Sequence, residues 1–384
     1  MFSNLKIYAT DPILELALAY KEDPRSDKVD MTVGVYQDDH GRLPVMKCVE
    51  LAQSNITKDK SYMPVLGSKS FCTSFEKYLT GGNSDCVAAS YTLGGTGAVR
   101  LIVDIINKSN SQSVIWCSDP TWSNHFGIFD AVDVKYNKYG YQYKSNIVDL
   151  EKIKTDLSEA KEGDVVLLHG CCHNPTGVDL SQDQWKDLFE FMKDNKLIPF
   201  FDIAYDGFSK NHGEDRWSFN YAFEKFETVF LSYSFSKILG LYGERSGGLL
   251  IKTPDSKSKA LVESNIKKLV RSTYSNPPVS SVKVTNMILE SDELQAIWHE
   301  ELDVSRERII RIRNTFQEQL TQYGSAIDGI SGQRGLFSLL DLSIEQVQRL
   351  RNEYGVYLLD NGRANLAGLN SGNVDYVASA IANL

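Results

Sequence analysis

The chain lacks the long apolar run of a membrane-spanning helix: none of its 384 residues lies in a stretch near the ~18–20 apolar residues required. Its first residues lack the basic and apolar segments of a signal peptide, and they lack an arginine-rich transit pattern. Six cysteines in a chain of this length are not the disulfide framework of a small secreted protein. We therefore expect a reduced, cytoplasmic protein that binds no membrane.

Positive charge is also scarce, since 41 Lys and Arg residues face 50 Asp and Glu residues and the net charge is −9. A surface that binds nucleic acid concentrates basic groups to meet phosphates, and no basic cluster offsets this balance. We expect no nucleic-acid partner. Hydrophobic residues at 42% and charged residues at 24% are typical of globular proteins and exclude a disordered or fibrous chain.

Apolar segments of strand length alternate with helical patterns through the middle of the chain. The predicted strands cover 113–117, 164–169, 197–203, 228–232 and 248–251. Strands that are apolar throughout are typical of a sheet covered on both faces, and interleaved helices favour parallel pairing. A capping box that begins at Ser181 predicts one of these helices. The sequence thus predicts an α/β domain with a mostly parallel sheet flanked by helices.

The pattern changes after about residue 300. A long charged helix is predicted over 300–318, followed by strand, helix and strand at 335–340, 343–354 and 356–359, and a strand-like piece lies at 31–36. We predict a smaller α+β domain in addition to the large one. The predicted division is an N-terminal arm at 1–14, a small domain from 15–43 and 305–384, and a large domain at 44–304.

A glycine-rich segment that contains Gly94, Gly95 and Thr96 stands directly before an apolar helical pattern. Backbone N–H groups at the start of a helix bind anions, most often phosphate. An ordinary glycine turn into a helix explains the segment equally well. A dinucleotide-binding loop is disfavoured, because the spacing is not G-x-G-x-x-G and no acidic residue follows about 20 residues later.

Polar residues also follow the predicted strand 164–169, at the sheet edge where α/β proteins bind ligands. His169, Cys171, Cys172 and His173 invite a zinc hypothesis. Adjacent cysteines do not readily ligate one tetrahedral zinc together, and we expect no metal. A turn with small buried thiols explains the cysteines, but it does not explain Asn174.

Two further segments carry reactive side chains after predicted strands. Asp202 lies on an apolar strand, where a carboxylate is costly to bury unless an internal ion pair or a cationic ligand compensates it. Tyr205 follows three residues later and would reach the same ligand. Lys237 lies among small polar residues, where an amine is tuned to react with carbonyl groups; a solvent-exposed lysine is the alternative.

Two arginines remain, Arg271 before a polar Pro-Pro segment and Arg363 in an Asn-Gly-Arg turn. Arginine binds carboxylates through a planar two-point fork. A surface ion pair is the alternative for each.

Taken in chain order, the motifs Gly-Gly-Thr-Gly, Asn-Pro-Thr-Gly, Asp-x-Ala-Tyr, Ser-x-Ser-Lys, Arg-x-Gly and Asn-Gly-Arg resemble those of the class I aminotransferases that use pyridoxal 5'-phosphate (PLP). Segments at 11–14, 33–36, 171–177 and 274–278 extend the resemblance over nearly the whole chain and favour the aspartate/aromatic subgroup. The resemblance implies PLP-transferase fold type I and reversible ping-pong transfer of an amino group between L-aspartate and 2-oxoglutarate, through PLP and pyridoxamine phosphate.

Two alternatives accompany this expectation. One is a tyrosine, phenylalanine or broad-specificity aminotransferase, and the other is a PLP-binding protein without catalysis. The intact lysine, aspartate, tyrosine and arginine positions argue against the second alternative.

The resemblance also implies residue roles around the cofactor ring. Lys237 would bind the cofactor aldehyde and move the substrate proton, and Asp202 would keep the pyridine nitrogen protonated. Tyr205 and Asn174 would hydrogen-bond the phenolic oxygen. Trp122 would stack on the ring.

Other residues match the family's supporting and phosphate-binding positions. His125 would support Asp202 from behind. The phosphate would be held by Gly94, Gly95, Thr96, Ser234, Ser236 and Arg245. Tyr62 matches a tyrosine that reaches the phosphate from a neighbouring subunit, which implies a homodimer with shared sites.

For the substrate, Arg363 would bind the α-carboxylate together with Asn174 and the backbone of Gly34, beside Trp122. Arg271 matches the arginine that receives the side-chain carboxylate of a dicarboxylic substrate from the other subunit. It favours such substrates without excluding aromatic ones. Phe235 and Ile238, which flank Lys237, depart from the family pattern of Tyr and Asn.

Overall fold

The structure is a computed structural model that describes residue 2, residues 5–7 and residues 12–384. Its helices are α1 Pro12–Glu22, α2 Lys47–Asn55, α3 Lys69–Thr80, α4 Gly94–Ser109, α5 Asn124–Val132, α6 Leu150–Leu157, α7 Gln182–Asp194, α8 His212–Asp215, α9 Trp217–Lys225, α10 Phe235–Ile238, α11 Ser256–Thr273, α12 Val279–Glu290, α13 Asp292–Gln322, α14 Ile344–Tyr354 and α15 Val374–Ala382. Its strands are β1 Val29–Asp30, β2 Val87–Leu93, β3 Ile115–Asp119, β4 Tyr136–Gly140, β5 Tyr143–Lys144, β6 Ile147–Val148, β7 Val165–His169, β8 Ile198–Ile203, β9 Val229–Ser234, β10 Ser246–Lys252, β11 Phe337–Leu339, β12 Val356–Tyr357 and β13 Arg363–Asn365.

The chain divides into two compact units. The larger unit holds Pro44–Asn174 and Val178–Glu307, and the smaller unit holds the described residues up to Leu43, Pro175–Gly177 and Arg308–Leu384. The sequence prediction has its boundaries at 43/44 and 304/305. Part of the predicted arm at 1–14, and Asp11 of the family motif, lie outside the described residues.

The larger unit is built on a seven-stranded sheet with the order β2-β10-β9-β8-β7-β3-β4. Strand β10 is antiparallel to both of its neighbours, and the remaining pairs are parallel. Each of the five predicted strands lies in this sheet. The predicted α/β fold class with a mostly parallel sheet is confirmed.

The apolar strands are buried because helices cover them. Strands β7 and β9 are buried along nearly all of their length. Helix α4 packs Val99, Ile102 and Ile106 into the same apolar cluster as Phe200 of β8 and Leu249 of β10. The predicted capping box of α7 is present, since the side chains of Ser181 and Gln184 bond each other's backbone N–H groups.

Several loops begin at one edge of this sheet. The parallel strands β7, β8 and β9 end there at His169, Ile203 and Ser234. Strand β10, which runs the other way, begins there at Ser246, and Ser246 lies opposite Leu93, the last residue of β2. The glycine-rich start of α4 therefore shares an edge with the loops that follow β7, β8 and β9.

The smaller unit has two short sheets and its own apolar core. Strand β1 pairs with β12 in parallel, and β11 pairs with β13 in antiparallel fashion. The predicted strand at 31–36 is wrong, because only Val29–Asp30 is extended in a sheet. Met31 still bonds the backbone of Tyr357 and Asn365, but after it the carbonyl groups of Val33 and Val35 accept hydrogen bonds from the Asn365 side-chain amide, at 2.7 and 2.9 Å.

In the described part of the chain no helix has the length and apolarity to cross a bilayer. The cytoplasmic location stays a prediction.

The buried carboxylate of Asp164 gives a stability prediction for the sheet. Asp164 is 4% exposed. It accepts hydrogen bonds from the backbone N–H groups of Val114 and Lys161, both at 2.9 Å, and from Trp116 Nε1 at 3.2 Å. Asp164→Ala leaves three donors without an acceptor and should cost about 2–4 kcal/mol, measured as a lower melting temperature. The matched control is Asp183→Ala, at an exposed position of α7, which should melt like the unaltered protein. Equal melting of all three proteins would contradict this account.

Candidate active site

A cavity of about 550 Å³ opens at the sheet edge described above, within the larger unit. It brings together many of the residues that the sequence prediction assigns to the site. Those that line it are Gly95, Thr96, Trp122, Asn174, Asp202, Tyr205, Ser234, Ser236, Lys237 and Arg245.

One end of the cavity is an anion cradle at the start of α4. Gly94 has a φ of +68°, and a Cβ at this position would lie 2.6 Å from Arg245 Nη2. Glycine thus lets the guanidinium approach the backbone closely. Arg245 Nη1 is itself held by the Tyr242 carbonyl at 2.9 Å and by Ser236 Oγ at 3.3 Å.

Two serine hydroxyl groups complete this cradle. Ser234 Oγ accepts a hydrogen bond from the backbone N–H of Ser236 at 3.3 Å. A Cβ on Gly95 would lie 3.1 Å from Ser234 Cβ, so the glycine loop and the β9 loop pack tightly. Helix N–H groups, hydroxyls and a guanidinium around one volume suit a phosphate group.

At the other end, Asp202 stands on β8 opposite His169 of β7. The His125 ring, which is fully buried, has its Nε2 atom 3.1 Å from Asp202 Oδ2. Burial alone would raise the pKa of Asp202, but the hydrogen bond from His125, together with the charge interactions of His125 and His169 and a hydrogen bond from Ser232, outweighs burial and lowers the pKa. The cavity therefore presents an ionised carboxylate.

A relay of hydrogen bonds behind Asp202 fixes the tautomers of two histidines. The backbone N–H of Asn174 donates to His169 Nδ1 at 3.2 Å, so the proton of neutral His169 resides on Nε2. Thr121 Oγ1 lies 3.5 Å from His169 Nε2 and 3.0 Å from His125 Nδ1. Thr121 accepts from His169 and donates to His125, which leaves the Nε2 proton of His125 for Asp202.

Sequence reasoning did not single out Thr121 as part of the site. The available signal was its position four residues before His125, which lies at the start of α5. The prediction also did not count Cys171, Cys172 and Ala204 among the site residues, although they line the cavity.

The reactive groups lie between these two ends. Lys237 Nζ is 5.6 Å from the centroid of the Tyr205 ring. Asn174 Oδ1 is buried and has no hydrogen-bond partner among the residues that the structure describes. A buried amide oxygen without a partner, in the wall of a cavity, is a group that a bound polar ligand would satisfy.

Two clusters of potential metal ligands lie at the cavity or beside it. One consists of His125, His169 and Asp202, which are engaged in the relay. The other is Cys171, Cys172 and Asp215. The Asp215 carboxylate already accepts three backbone N–H groups at 2.9 Å, so neither cluster supports a metal assignment.

The smaller unit places Gly34 and Arg363 around one phenyl ring. The Arg363 guanidinium carbon lies 4.4 Å from the centroid of the Phe337 ring, and its Nη2 donates to the Thr32 carbonyl at 2.8 Å. A Cβ on Gly34 would lie 2.6 Å from the same ring. Burial and stacking hold Arg363 in one orientation.

Tyr62 and Arg271 are not among the residues that line the cavity. The Tyr62 side chain is 90% exposed, and Arg271, at the end of α11, is exposed and hydrogen-bonded to Ser275. The two segments are joined, because Asn276 Nδ2 donates to the Met63 carbonyl at 2.7 Å. Both residues thus lie on one exposed region of the larger unit.

Comparison with known proteins gives consistent matches over the full chain. The family model described as "Aminotransferase class I and II" matches residues 26–381. The chain is 38% identical to a tyrosine aminotransferase of Klebsiella pneumoniae and 36% identical to an aspartate aminotransferase of Escherichia coli, with 99% of each chain covered in both cases.

Solved structures agree with these matches. An aromatic-amino-acid aminotransferase from Burkholderia pseudomallei, covalently bound to pyridoxal phosphate, has a TM-score of 0.94 and 38% identity, and the match covers 100% of this chain and 99% of that one. The cytoplasmic aspartate aminotransferase of Saccharomyces cerevisiae has a TM-score of 0.96 and 32% identity, with coverage of 100% and 98%.

The relay predicts an uncharged His169. Its removal from water, with His125 adding to the effect, lowers the pKa of His169 to about 3. The ring should stay neutral, with its proton on Nε2, from about pH 8 to about pH 5. Nitrogen-15 NMR of histidine-labelled protein measures this, with the signals assigned by their loss in His169→Asn. A midpoint between about pH 5 and pH 7 for this ring would contradict the neutral state, and a proton on Nδ1 would contradict the proposed tautomer.

Proposed function

Because the chain belongs to the class I and II aminotransferases, we propose that it exchanges the amino group between L-aspartate and 2-oxoglutarate. The chain is a PLP-dependent aminotransferase of the aspartate/aromatic subgroup, and its substrates are amino acids and 2-oxo acids. The observation that carries the preference for aspartate is Arg271, an exposed arginine beside the Tyr62 segment, in addition to the buried Arg363.

The cavity fits PLP at each of the cofactor's polar groups. The cradle of Gly94, Gly95, Thr96, Ser234, Ser236 and Arg245 suits the phosphate. The ionised Asp202 suits a protonated pyridine nitrogen, and the side-chain amide N–H of Asn174, in the cavity wall, suits a ring oxygen. When bound, PLP supplies an electron-withdrawing ring that stabilises the charge left on the substrate carbon.

Lys237 is the proposed catalytic base and acid. Lys237 would hold the cofactor through its amine, and during turnover the same amine would move the proton of the substrate α-carbon. The short turn from β9 into α10 places the lysine in the cavity wall. General acid–base catalysis of this kind contributes typically about 10²–10⁴-fold to a rate.

The surrounding side chains adjust the cofactor's charge. Asp202, oriented by His125, would keep the pyridine nitrogen protonated and so strengthen the ring as an electron acceptor. Tyr205 and Asn174 would donate hydrogen bonds to the phenolic oxygen and stabilise its anion. Trp122 would stack on the ring and exclude water.

Substrate carboxylates are the proposed targets of the two arginines. Arg363, stacked on Phe337, would bind the α-carboxylate. We propose a homodimer in which Arg271 receives the second carboxylate, and Tyr62 the cofactor phosphate, in the site of the neighbouring subunit. Their location outside the cavity of their own chain supports this assignment.

An aromatic or broad-specificity aminotransferase is the second candidate. Its support comes from the comparisons, since relatives named for tyrosine or aromatic amino acids are 38% identical, and relatives named for aspartate are 35–37% identical. A flexible arginine that moves aside would accept both kinds of side chain.

Absorption spectroscopy tests the function directly. The purified protein should show the visible band of bound PLP, and excess L-aspartate without a 2-oxo acid should convert it to that of pyridoxamine phosphate. Lys237→Ala is the control, and it should fold but hold no covalent cofactor. A band that responds to tyrosine but not to aspartate would favour the second candidate. Absence of any band after addition of PLP would contradict both.

Substrate choice and subunit sharing are tested by Arg271→Asp. This variant should lose activity on aspartate by about 10²-fold or more relative to neutral amino acids, because it replaces the carboxylate's partner with a like charge. Lys268→Asp, the same charge change at an exposed position of α11, should have little effect. Equal losses on both substrate classes would exclude Arg271 as the side-chain receptor.

Mixed dimers show whether the site is shared. In a dimer of one Lys237→Ala chain and one Arg271→Asp chain, one of two shared sites has both native residues. Mixing the two inactive variants should therefore restore aspartate activity toward a quarter of the native value, because half of the dimers are mixed and each has one intact site. No recovery despite subunit exchange would place both residues in the same chain's site.

A further inference from the structure

A buried cluster of ionisable side chains lies next to Tyr205 and takes no part in the chemistry described above. Its centre is Asp206, which is fully buried. Asp206 Oδ2 accepts a hydrogen bond from the Tyr233 hydroxyl at 2.6 Å. The same oxygen lies 3.1 Å from His212 Nδ1 and 3.4 Å from Arg216 Nε.

This cluster joins two segments that line the cavity. Asp206 is the residue after Tyr205, in the loop that follows β8. Tyr233 is the residue before Ser234, at the end of β9, and the turn that carries Lys237 begins there. The bond between Asp206 and Tyr233 therefore ties the loop of Tyr205 to the strand that leads to Lys237.

The cluster holds its carboxylate in the ionised form. Burial would raise the pKa of Asp206, but His212 and Arg216 outweigh it, so the pKa is lowered. The Arg216 guanidinium is fixed in turn, since Nη1 donates to the Tyr78 carbonyl at 2.7 Å and Nε donates to the His212 carbonyl at 2.9 Å.

Other ionisable groups surround this ion pair. The Tyr78 hydroxyl lies 3.2 Å from His212 Nδ1 and 3.3 Å from His299 Nε2. Asp215, at the end of α8, binds the backbone of the same loop at Gly207 and Ser209. The carboxylate of Asp206 is thus contacted from β9 by Tyr233, from α8 by His212, and by Arg216, while Tyr78 and His299 pack around His212.

We propose that Asp206 is a positioning residue, which fixes the Tyr205 hydroxyl against the phenolic oxygen of the cofactor by tying its loop to Tyr233. This inference rests on the role proposed for Tyr205. In this proposal Asp206 does not contact the reacting atoms, and it acts only through Tyr205.

Positioning and direct charge have opposite effects on one observable. A hydrogen bond from Tyr205 stabilises the phenolic anion and so lowers the pKa of the bound PLP chromophore. Displacing Tyr205 should therefore raise that pKa. Removing a nearby negative charge should instead lower it, since the protonated chromophore is the more positive form. The direction of the shift distinguishes the two roles.

The experiment is a spectroscopic pH titration of the PLP-bound enzyme and its variants. Asp206→Ala and Tyr233→Phe should both raise the chromophore pKa by about half a unit or more, the size expected for weakening one hydrogen bond to the anion. Tyr205→Phe should raise it further. In the Tyr205→Phe background, Asp206→Ala should add no shift, because the group through which it acts is gone.

A matched control separates this effect from a general loss of packing. Tyr139 is also buried, and its hydroxyl donates to the Leu167 carbonyl at 2.9 Å. Tyr139→Phe should lower the melting temperature as Tyr233→Phe does but leave the chromophore pKa unchanged. Tyr233→Phe decides the matter if Asp206→Ala does not fold.

Three results would overturn the inference: an unchanged pKa in Tyr233→Phe, a lowered pKa in Asp206→Ala, or the same shift with and without Tyr205. Each of these leaves the proposed function intact, since the native enzyme would still show a titrating chromophore. Absence of that chromophore would instead contradict the proposed function.

Discussion

An ionised carboxylate inside an apolar sheet has to be compensated, and the arrangement around Asp202 follows from this constraint. Strand β8 places Asp202 at the sheet edge, α5 places His125 beside it, β7 ends in His169, and the loop after β7 supplies the Asn174 backbone. Several separate elements thus contribute residues that stabilise the single negative charge of Asp202. In the proposed chemistry the other side of that carboxylate would face the cofactor's cationic nitrogen. The protein's own residues therefore compensate the negative charge of Asp202 only in part.

The motifs predicted most of the cavity because parallel strands bring their carboxyl ends to one edge. Asn174, Tyr205 and Lys237 follow three adjacent strands. A correct prediction of the sheet therefore places these residues close together. Thr121 could not be predicted with confidence in the same way, because its contact with His169 depends on the path of a loop. The prediction of a strand at 31–36 was wrong because the Asn365 side-chain amide binds the carbonyls of Val33 and Val35. Hydrophobic patterning does not reveal such a contact.

Tyr62 and Arg271 show a different limit of sequence reasoning. The pattern assigns them to a ligand, but in their own chain they lie on an exposed region, joined by the bond between Asn276 and Met63. Their proposed roles concern another copy of the chain. Asp206 is the opposite case: no motif marks it, and its partners come from two segments, β9 and residues 212–216, yet it lies directly beside a proposed cofactor-binding residue.

The relay that begins at Asn174 has a consequence for redesign of the site. Its first donor is a backbone N–H, which every residue except proline possesses. Replacement of the Asn174 side chain therefore alters the wall of the cavity without reversing the direction of the hydrogen bonds behind Asp202. One position thus contributes two separable properties: a side chain in the cavity wall, and a main-chain donor that substitution by any residue except proline keeps.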